Sequence, residues 1–210
     1  MHPEVLPKGG SELLPKFAKF KEYHLVGGTA LALQIGHRIS VDFDFFCDQE
    51  IDKRLFAKIK KVFAGHRIRP AVNNIDELTF FIDGIKTTFF NYQYKPRLTL
   101  LKYEGIRMLD KKEIAASKSF TIGKRGAYKD YVDLYFLLSD GYITLQEIID
   151  LANKKYKDDF NDRLFLEQLI YLDDVPEAEI IFLMPAVQKK KLISFFKEEI
   201  EKWKKDFLAS

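Results

Sequence analysis

The chain has 210 residues, of which 47% are hydrophobic and 31% charged, a size that fits one large domain or two small ones. This composition excludes a disordered protein, and no apolar run approaches the roughly 20 residues of a membrane-spanning helix. The 34 basic and 31 acidic side chains leave a net charge of +3, which is too small to indicate nucleic-acid binding by itself.

Cysteine usage and the first residues predict the compartment. The single cysteine, Cys47, excludes an internal disulfide and a multi-thiolate zinc site. The first ten residues contain Pro3 and Pro7 and no apolar stretch of the kind found in a signal peptide. We therefore expect a cytoplasmic protein without membrane association.

The first 110 residues alternate between helical and extended patterns. Asp48 is a candidate N-cap, Gly36 a helix stop, and Asp83-Gly84 a type I′ hairpin signal. The patterns predict helices over 11–23, 29–35 and 51–64 and strands over 24–26 and 41–46. An extended pattern runs from 67 to about 92 and includes strands over 77–82 and 85–92, and further extended pieces are predicted around 98–101 and 105–108.

After Asp110 the apolar spacing becomes helical and stays so. Helices are predicted over 110–119, 126–139, 144–156, 161–172 and 187–207. This change predicts an α+β protein with a mixed first domain, residues 1–110, and a helical second domain, residues 111–210.

The strongest chemical signal lies in residues 26–46, VGGTALALQIGHRISVDFDFF. Asp42 and Asp44 are two positions apart on a predicted strand, so both carboxylates point from one face. Paired carboxylates repel each other unless a cation lies between them, and their hard oxygen atoms suit Mg²⁺ or Mn²⁺. Gly27 and Gly28 precede a helix start and would let phosphate approach the backbone N–H groups.

Each half of this pattern has a simpler explanation, namely an ordinary Gly-Gly turn and the solvent face of an edge strand. The two halves together favour function, because Asp42 and Asp44 alternate with bulky apolar residues typical of an interior strand. A phosphate-binding helix start beside a pair of metal-binding carboxylates is typical of enzymes that catalyse phosphoryl or nucleotidyl transfer.

The spacing of Gly27 and Gly28, 15 and 14 positions before Asp42, resembles the nucleotidyltransferase superfamily related to DNA polymerase β. The longer motif GGTALAL…GHRISVDFDFF resembles one family within this superfamily, the AbiEii/AbiGii toxins. These proteins are the toxin components of toxin–antitoxin pairs. The resemblance implies a mixed sheet with flanking helices, a C-terminal helical bundle, an NTP substrate and a cognate antitoxin partner.

A second block, KSFTIGKRGAYKDYVDLYFLL over 118–138, is similar to a later motif of that family. The resemblance implies that Lys118 contacts nucleotide phosphates and that Asp130 belongs to the catalytic site. The other positions of this block that match the family motif are Arg125, Lys129 and Asp133. Arg125 and Lys129 are candidate nucleotide ligands, although a solvated helix face explains Lys129 as well, and Asp133 fits a structural role.

Two further candidates for nucleotide binding belong to the first block. Thr29 lies in the first turn of the predicted helix, and Arg38 precedes the aspartate pair. A salt bridge from Arg38 to Asp42 or Asp44 is an equal alternative to phosphate contact.

One position departs from the superfamily pattern, which places a third carboxylate on a later strand. The matching strand, 85–92, has no acid; Thr87 or Thr88 occupies the place, and Glu77 and Asp83 lie outside it. Asp130 could complete the site if the helical half folds back so that Asp130 and Lys118 face Asp42 and Asp44. Otherwise metal binding is weakened, or a nucleotide binds without turnover.

These observations predict a metal-dependent nucleotidyltransferase that moves NMP from an NTP to an acceptor hydroxyl. The resemblance permits tRNA, another RNA or a protein as acceptor. The alternatives are a nucleotide-binding or partner-binding pseudoenzyme, motivated by the missing carboxylate, and an RNA-binding module, motivated by the basic helices.

Overall fold

The computed structural model describes residues 1–209 and divides the chain into two compact units that meet in sequence after Asp110. The first unit contains a seven-stranded mixed sheet. The second unit is helical, and the predicted α+β class is confirmed. The strands are β1 (His24–Val26), β2 (Asp42–Cys47), β3 (Ile68–Asn73), β4 (Glu77–Ile82), β5 (Ile85–Asn91), β6 (Leu101–Tyr103) and β7 (Ile106–Met108). Their order in the sheet is β3-β4-β5-β2-β1-β7-β6.

Strand β2 is central and alternates strictly between its two faces. It pairs antiparallel with β1 and parallel with β5. Phe43 and Phe45 are buried, whereas Asp42 and Asp44 are half-buried, because successive side chains point to opposite sides of a strand. We call the side that bears Asp42 and Asp44 the aspartate face.

The opposite face of the sheet forms an aromatic core. The ring centroid of Phe17 lies 4.7 Å from that of Phe45 and 4.8 Å from that of Phe63. The rings of Phe45 and Phe89 are stacked, with their centroids 5.0 Å apart. These rings are essentially inaccessible to water. Removal of this apolar surface from water supplies the main driving force for folding and packs one face of β2 against the core.

Two of the three helices predicted for the first unit, 11–23 and 51–64, are shorter in the structure. The predicted helix over 11–23 is wrong: α1 (Gly10–Leu13) is followed by a 3-10 segment, Leu14–Lys19, because Pro15 cannot donate a hydrogen bond within a longer helix. Helix α2 (Gly27–Ile35) ends at Gly36 with φ 69°, as predicted.

The predicted cap of the next helix is also wrong. Helix α3 (Leu55–Val62) begins four residues later than predicted, and its N-cap position makes no side-chain hydrogen bond. The carboxylate of Asp48 instead forms a salt bridge with Lys95 at 2.9 Å. The hairpin prediction is confirmed, since Asp83 and Gly84 have φ values of 49° and 91°, as a type I′ turn requires.

All five predicted helices of the second unit are present. Thr144 and Glu147 form a capping box at the start of the helix Leu145–Tyr156. No helix within residues 1–209 has the length and apolar character needed to cross a membrane. The helices are α4 (Lys111–Ile122), α5 (Tyr128–Ser139), α6 (Leu145–Tyr156), α7 (Asp162–Ile170) and α8 (Lys189–Ala209).

Candidate functional site

The first glycine of the Gly-Gly pair makes room for an aspartate. Gly27 has φ 67°, and a Cβ atom at this position would lie 3.2 Å from Oδ2 of Asp44. A side chain would therefore strain the backbone and crowd the carboxylate. Gly27 allows the start of α2 to approach Asp44 on the neighbouring strand.

The second glycine makes room for an arginine. A Cβ atom on Gly28 would lie 2.6 Å from Nη2 of Arg38 and 3.3 Å from Oγ of Ser40. The Arg38 side chain is buried, and its Nη1 donates to the Ile39 carbonyl at 3.2 Å. The space beside Gly28 that the sequence assigned to phosphate is thus occupied by the Arg38 guanidinium.

Thr29 ties the helix start to the loop before β2. Its hydroxyl lies 2.7 Å from Oγ of Ser40 and also contacts the carbonyl oxygen of Asp42. Both Thr29 and Ser40 are buried. Thr29 therefore fixes the position of Asp42 through its backbone, and sequence reasoning missed the part that Ser40 plays in this contact.

The donor set of the aspartate pair fits a small hard cation. Among the side chains that the structure describes, no cluster of three or more His, Cys, Asp and Glu residues is arranged to hold a metal. Two carboxylates on one strand face, with Asp44 packed against Gly27 at the N-terminus of α2, match the one or two carboxylates with which Mg²⁺ is usually held, the other ligands being water and phosphate. Asp42 and Asp44 would hold such an ion.

The register of β5 locates the position of the absent third carboxylate. Asp44 pairs with Thr88 and Asp42 with Lys86, so these side chains share the aspartate face. Thr87 points into the opposite side and is completely buried. Of the two threonines that the sequence left open, Thr88 is the one beside Asp44.

The second motif forms a buried charge cluster in the helical unit, which we call the Lys118 cluster. Nζ of Lys118 on α4 lies 2.6 Å from a carboxylate oxygen of Asp130 and 2.6 Å from one of Asp133, both on α5. The exposed side-chain fractions of Lys118, Asp130 and Asp133 are 8, 15 and 0%. The two aspartates are three positions apart on α5 and so share the face that holds Lys118.

The other cations of the second motif lie at the junction between α4 and α5. Arg125 is exposed in the connecting segment, and Lys129 is half-buried in the first turn of α5. Neither side chain joins the Lys118 cluster or forms an ion pair within the described part of the chain. The guanidinium group of Arg125 and the ammonium group of Lys129 are therefore compatible with binding an anion.

A family model described as nucleotidyl transferase AbiEii toxin, of type IV toxin–antitoxin systems, matches residues 11–98 and 81–209. An uncharacterized Aquifex aeolicus protein, aq_aa25, is 34% identical over 185 residues, which cover 87% of this chain and 88% of that protein. Both matches span almost the whole chain, so they apply to both units.

Two solved structures share the fold. MenT4, a nucleotidyltransferase toxin from Mycobacterium tuberculosis, has a TM-score of 0.60 at 15% identity, covering 89% of this chain and 78% of that one. A candidate nucleotidyltransferase from H. pylori has a TM-score of 0.55 at 19% identity and covers 92% of each chain. The sheet with its aspartate pair is thus a nucleotidyltransferase fold, and the chain belongs to the AbiEii family of nucleotidyltransferase toxins.

Proposed function

We propose that the protein transfers NMP from an NTP to an acceptor hydroxyl in a metal-dependent reaction, as the toxin of a toxin–antitoxin pair. One observation supports the assignment above others. Two half-buried carboxylates, Asp42 and Asp44, leave the same face of the central strand beside the N-terminus of α2. This juxtaposition offers oxygen ligands for a divalent cation and N–H groups for phosphate at neighbouring points.

Bound Mg²⁺ or Mn²⁺ would neutralise charge on the triphosphate and on the departing pyrophosphate. The Arg38 guanidinium, which occupies the space beside Gly28, would supply positive charge for phosphate oxygens, together with the positive dipole end of α2. The acceptor oxygen forms a bond to the α-phosphorus while the bond to pyrophosphate breaks, and water takes the hydroxyl proton.

In the second motif, Lys118 is proposed to bind the triphosphate of the NTP, and Arg125 and Lys129 are proposed as further phosphate ligands. Asp130 and Asp133 then act as positioning residues, since both contact Nζ of Lys118 at 2.6 Å. Two carboxylates hold the ammonium charge and fix its direction. A contact from Asp130 to the metal, which the sequence suggested, stays a prediction.

The surface next to Asp42 supports RNA as the acceptor. Strand register places Lys86, Phe81 and Arg69 in one row that leads across the aspartate face from Asp42 to the edge strand β3. Arg69 lies over the Phe81 ring at 4.5 Å. Cations suit phosphates and an aromatic ring suits base stacking, the combination that binds single-stranded nucleic acid. A pocket of about 430 Å³ lies at this edge, lined by Arg67, Arg69, Phe81, Asp83 and Gly84.

The direct test is incubation of the protein with each α-³²P-labelled NTP, Mg²⁺ and total RNA, followed by separation of RNA from protein. We expect label on RNA, dependence on the divalent cation and release of pyrophosphate. Label on protein would show that the acceptor is a polypeptide and not RNA. Nucleotide binding without pyrophosphate release would favour the pseudoenzyme alternative.

A further inference from the structure

Two threonine hydroxyls connect the place of the absent carboxylate on β5 to an acid, Glu77, on the adjacent strand β4. Oγ1 of Thr79 lies 2.6 Å from Oε1 of Glu77 and 3.1 Å from Oγ1 of Thr88. Thr79 pairs with Thr88 across β4 and β5, and Thr88 pairs with Asp44 across β5 and β2. The three side chains Thr79, Thr88 and Asp44 therefore form one row on the aspartate face.

The donor and acceptor capacities determine the direction of the hydrogens. A carboxylate only accepts, so the single hydroxyl hydrogen of Thr79 is donated to Glu77 in the shorter contact. In the hydrogen bond between the two threonines, the Thr88 hydroxyl is therefore the donor and Oγ1 of Thr79 the acceptor. With its hydrogen directed toward Thr79, the Thr88 oxygen keeps its lone pairs for a group on the side of Asp44.

We propose that Thr88 Oγ1 is the third oxygen ligand of the divalent cation at Asp42 and Asp44, and that Thr79 and Glu77 orient it. The inference rests on the proposed function and deepens it. Neighbouring strands are about 4.8 Å apart, so a side chain of Thr88 is within the reach of an ion held by Asp44. The negative charge of the missing carboxylate is supplied indirectly by Glu77, one strand further away.

The arrangement has a consequence for affinity. A neutral hydroxyl attracts a cation less than a carboxylate does, so nucleotide phosphates must supply more of the binding. We therefore expect the cation to bind much more tightly in the presence of an NTP analogue than to the free protein. Replacement of Thr88 by Asp is expected to reduce this difference.

The experiment measures Mn²⁺ binding by electron paramagnetic resonance, with and without a non-hydrolysable NTP analogue. Thr88→Val is expected to weaken binding about tenfold or more, and Thr79→Val and Glu77→Gln are expected to shift it in the same direction. Thr88→Ser keeps the hydroxyl and should bind like the unmodified protein. Circular dichroism and urea unfolding verify that each variant is folded.

Thr87→Val is the matched control, because it makes the same substitution one residue away on the opposite face. The Thr87 hydroxyl is buried and has no hydrogen-bond partner among the described residues, so its loss should leave Mn²⁺ binding unchanged. Unchanged binding in Thr88→Val would overturn the inference. If Asp42→Asn with Asp44→Asn still abolished binding, the proposed function would stand; if neither change mattered, the metal site itself would be wrong.

Discussion

Oδ2 of Asp44 lies 3.2 Å from the point that a Cβ atom of Gly27 would occupy, so these two residues determine how closely α2 can approach the sheet. Gly27→Ala should therefore damage the site in two ways. An alanine in the left-handed backbone conformation of position 27 destabilises the fold by about 1 kcal/mol. Its methyl group would also displace the Asp44 carboxylate. We expect transfer to fall by at least about tenfold, measured as labelled RNA.

Gly141→Ala is the control for the backbone cost alone. Gly141 has φ 70°, close to the 67° of Gly27, but no atom lies within 4 Å of its Cβ position. Its variant should lose similar stability and keep activity. Equal activity losses in the two variants would show that strain, and not contact with Asp44, explains the effect.

Replacing Asp42 and Asp44 by Asn should abolish divalent-cation-dependent transfer and leave the fold intact, because amides keep the shape but lose the charge. Activity is measured with labelled NTP and folding by circular dichroism. Asp52→Asn is a suitable control, since the Asp52 carboxylate only accepts from the backbone N–H of Arg54 at 2.8 Å. Full transferase activity in the double variant would show that the assigned site is wrong.

Lys118→Met should reduce both stability and transfer. It leaves two carboxylates without their cation in a largely buried site, a loss that costs about 3 kcal/mol in urea unfolding. Adding Asp130→Asn and Asp133→Asn removes the repulsion and should recover stability. Transfer should not recover, because the proposed phosphate ligand is still missing.

Lys155→Met provides the matched control for this prediction. Nζ of Lys155 forms a buried salt bridge with Glu113 at 2.8 Å in the same helical unit, with exposed side-chain fractions of 1 and 0%. Its loss should destabilise the protein comparably, while transfer continues at a temperature where the variant is folded. If both lysine variants lost transfer alike, the role of Lys118 would be structural only.

Arg69→Gln with Lys86→Gln should weaken RNA labelling and preserve NTP binding. If both cations contact RNA phosphates, the logarithmic salt dependence of RNA binding should decrease by about 1.4, or 0.7 per contact with a single strand. Lys53→Gln with Lys61→Gln removes the same charge from exposed positions near α3. Equal effects of the two double variants would argue for general electrostatics instead of a binding row.

Stability near the hairpin turn should depend on pH through Asp83. Hydrogen bonds from the His66 ring at 2.7 Å and the Arg67 N–H at 2.8 Å hold the pKa of this carboxyl below its usual range. Lys16 contacts the other ring nitrogen of His66 at 2.6 Å and can only donate, which leaves the hydrogen of the neutral ring on the side of Asp83.

A lowered carboxyl pKa contributes stability above the unfolded-state pKa, and this contribution is lost as the pH falls through the lowered value. Asp83→Asn should therefore unfold at lower urea concentration than the unmodified protein at about pH 7, with a difference that shrinks as the pH falls below the ordinary aspartate pKa of about 3.9. Asn tolerates the left-handed backbone of this position, so the turn itself is preserved. A difference that did not change with pH would exclude the charge as its cause.

The sequence by itself determined the elements whose signals are local. Alternation predicts β2 and the common face of Asp42 and Asp44, helical spacing predicts α4 to α8, and the Asp83-Gly84 pair predicts the hairpin. These features depend on residues a few positions apart, where side-chain periodicity and turn geometry are sufficient. The resemblance of the motifs predicted the family on the same local basis.

Only the tertiary structure decided which distant residues meet. The sequence places Thr87 and Thr88 equally well beside the aspartates, and the parallel register of β2 with β5 selects Thr88. The sequence does not indicate that the space at Gly28 accommodates Arg38, or that Asp133 contacts Lys118 together with Asp130. A shift of one residue in strand register moves every side chain to the other face, and that register depends on packing across the whole sheet.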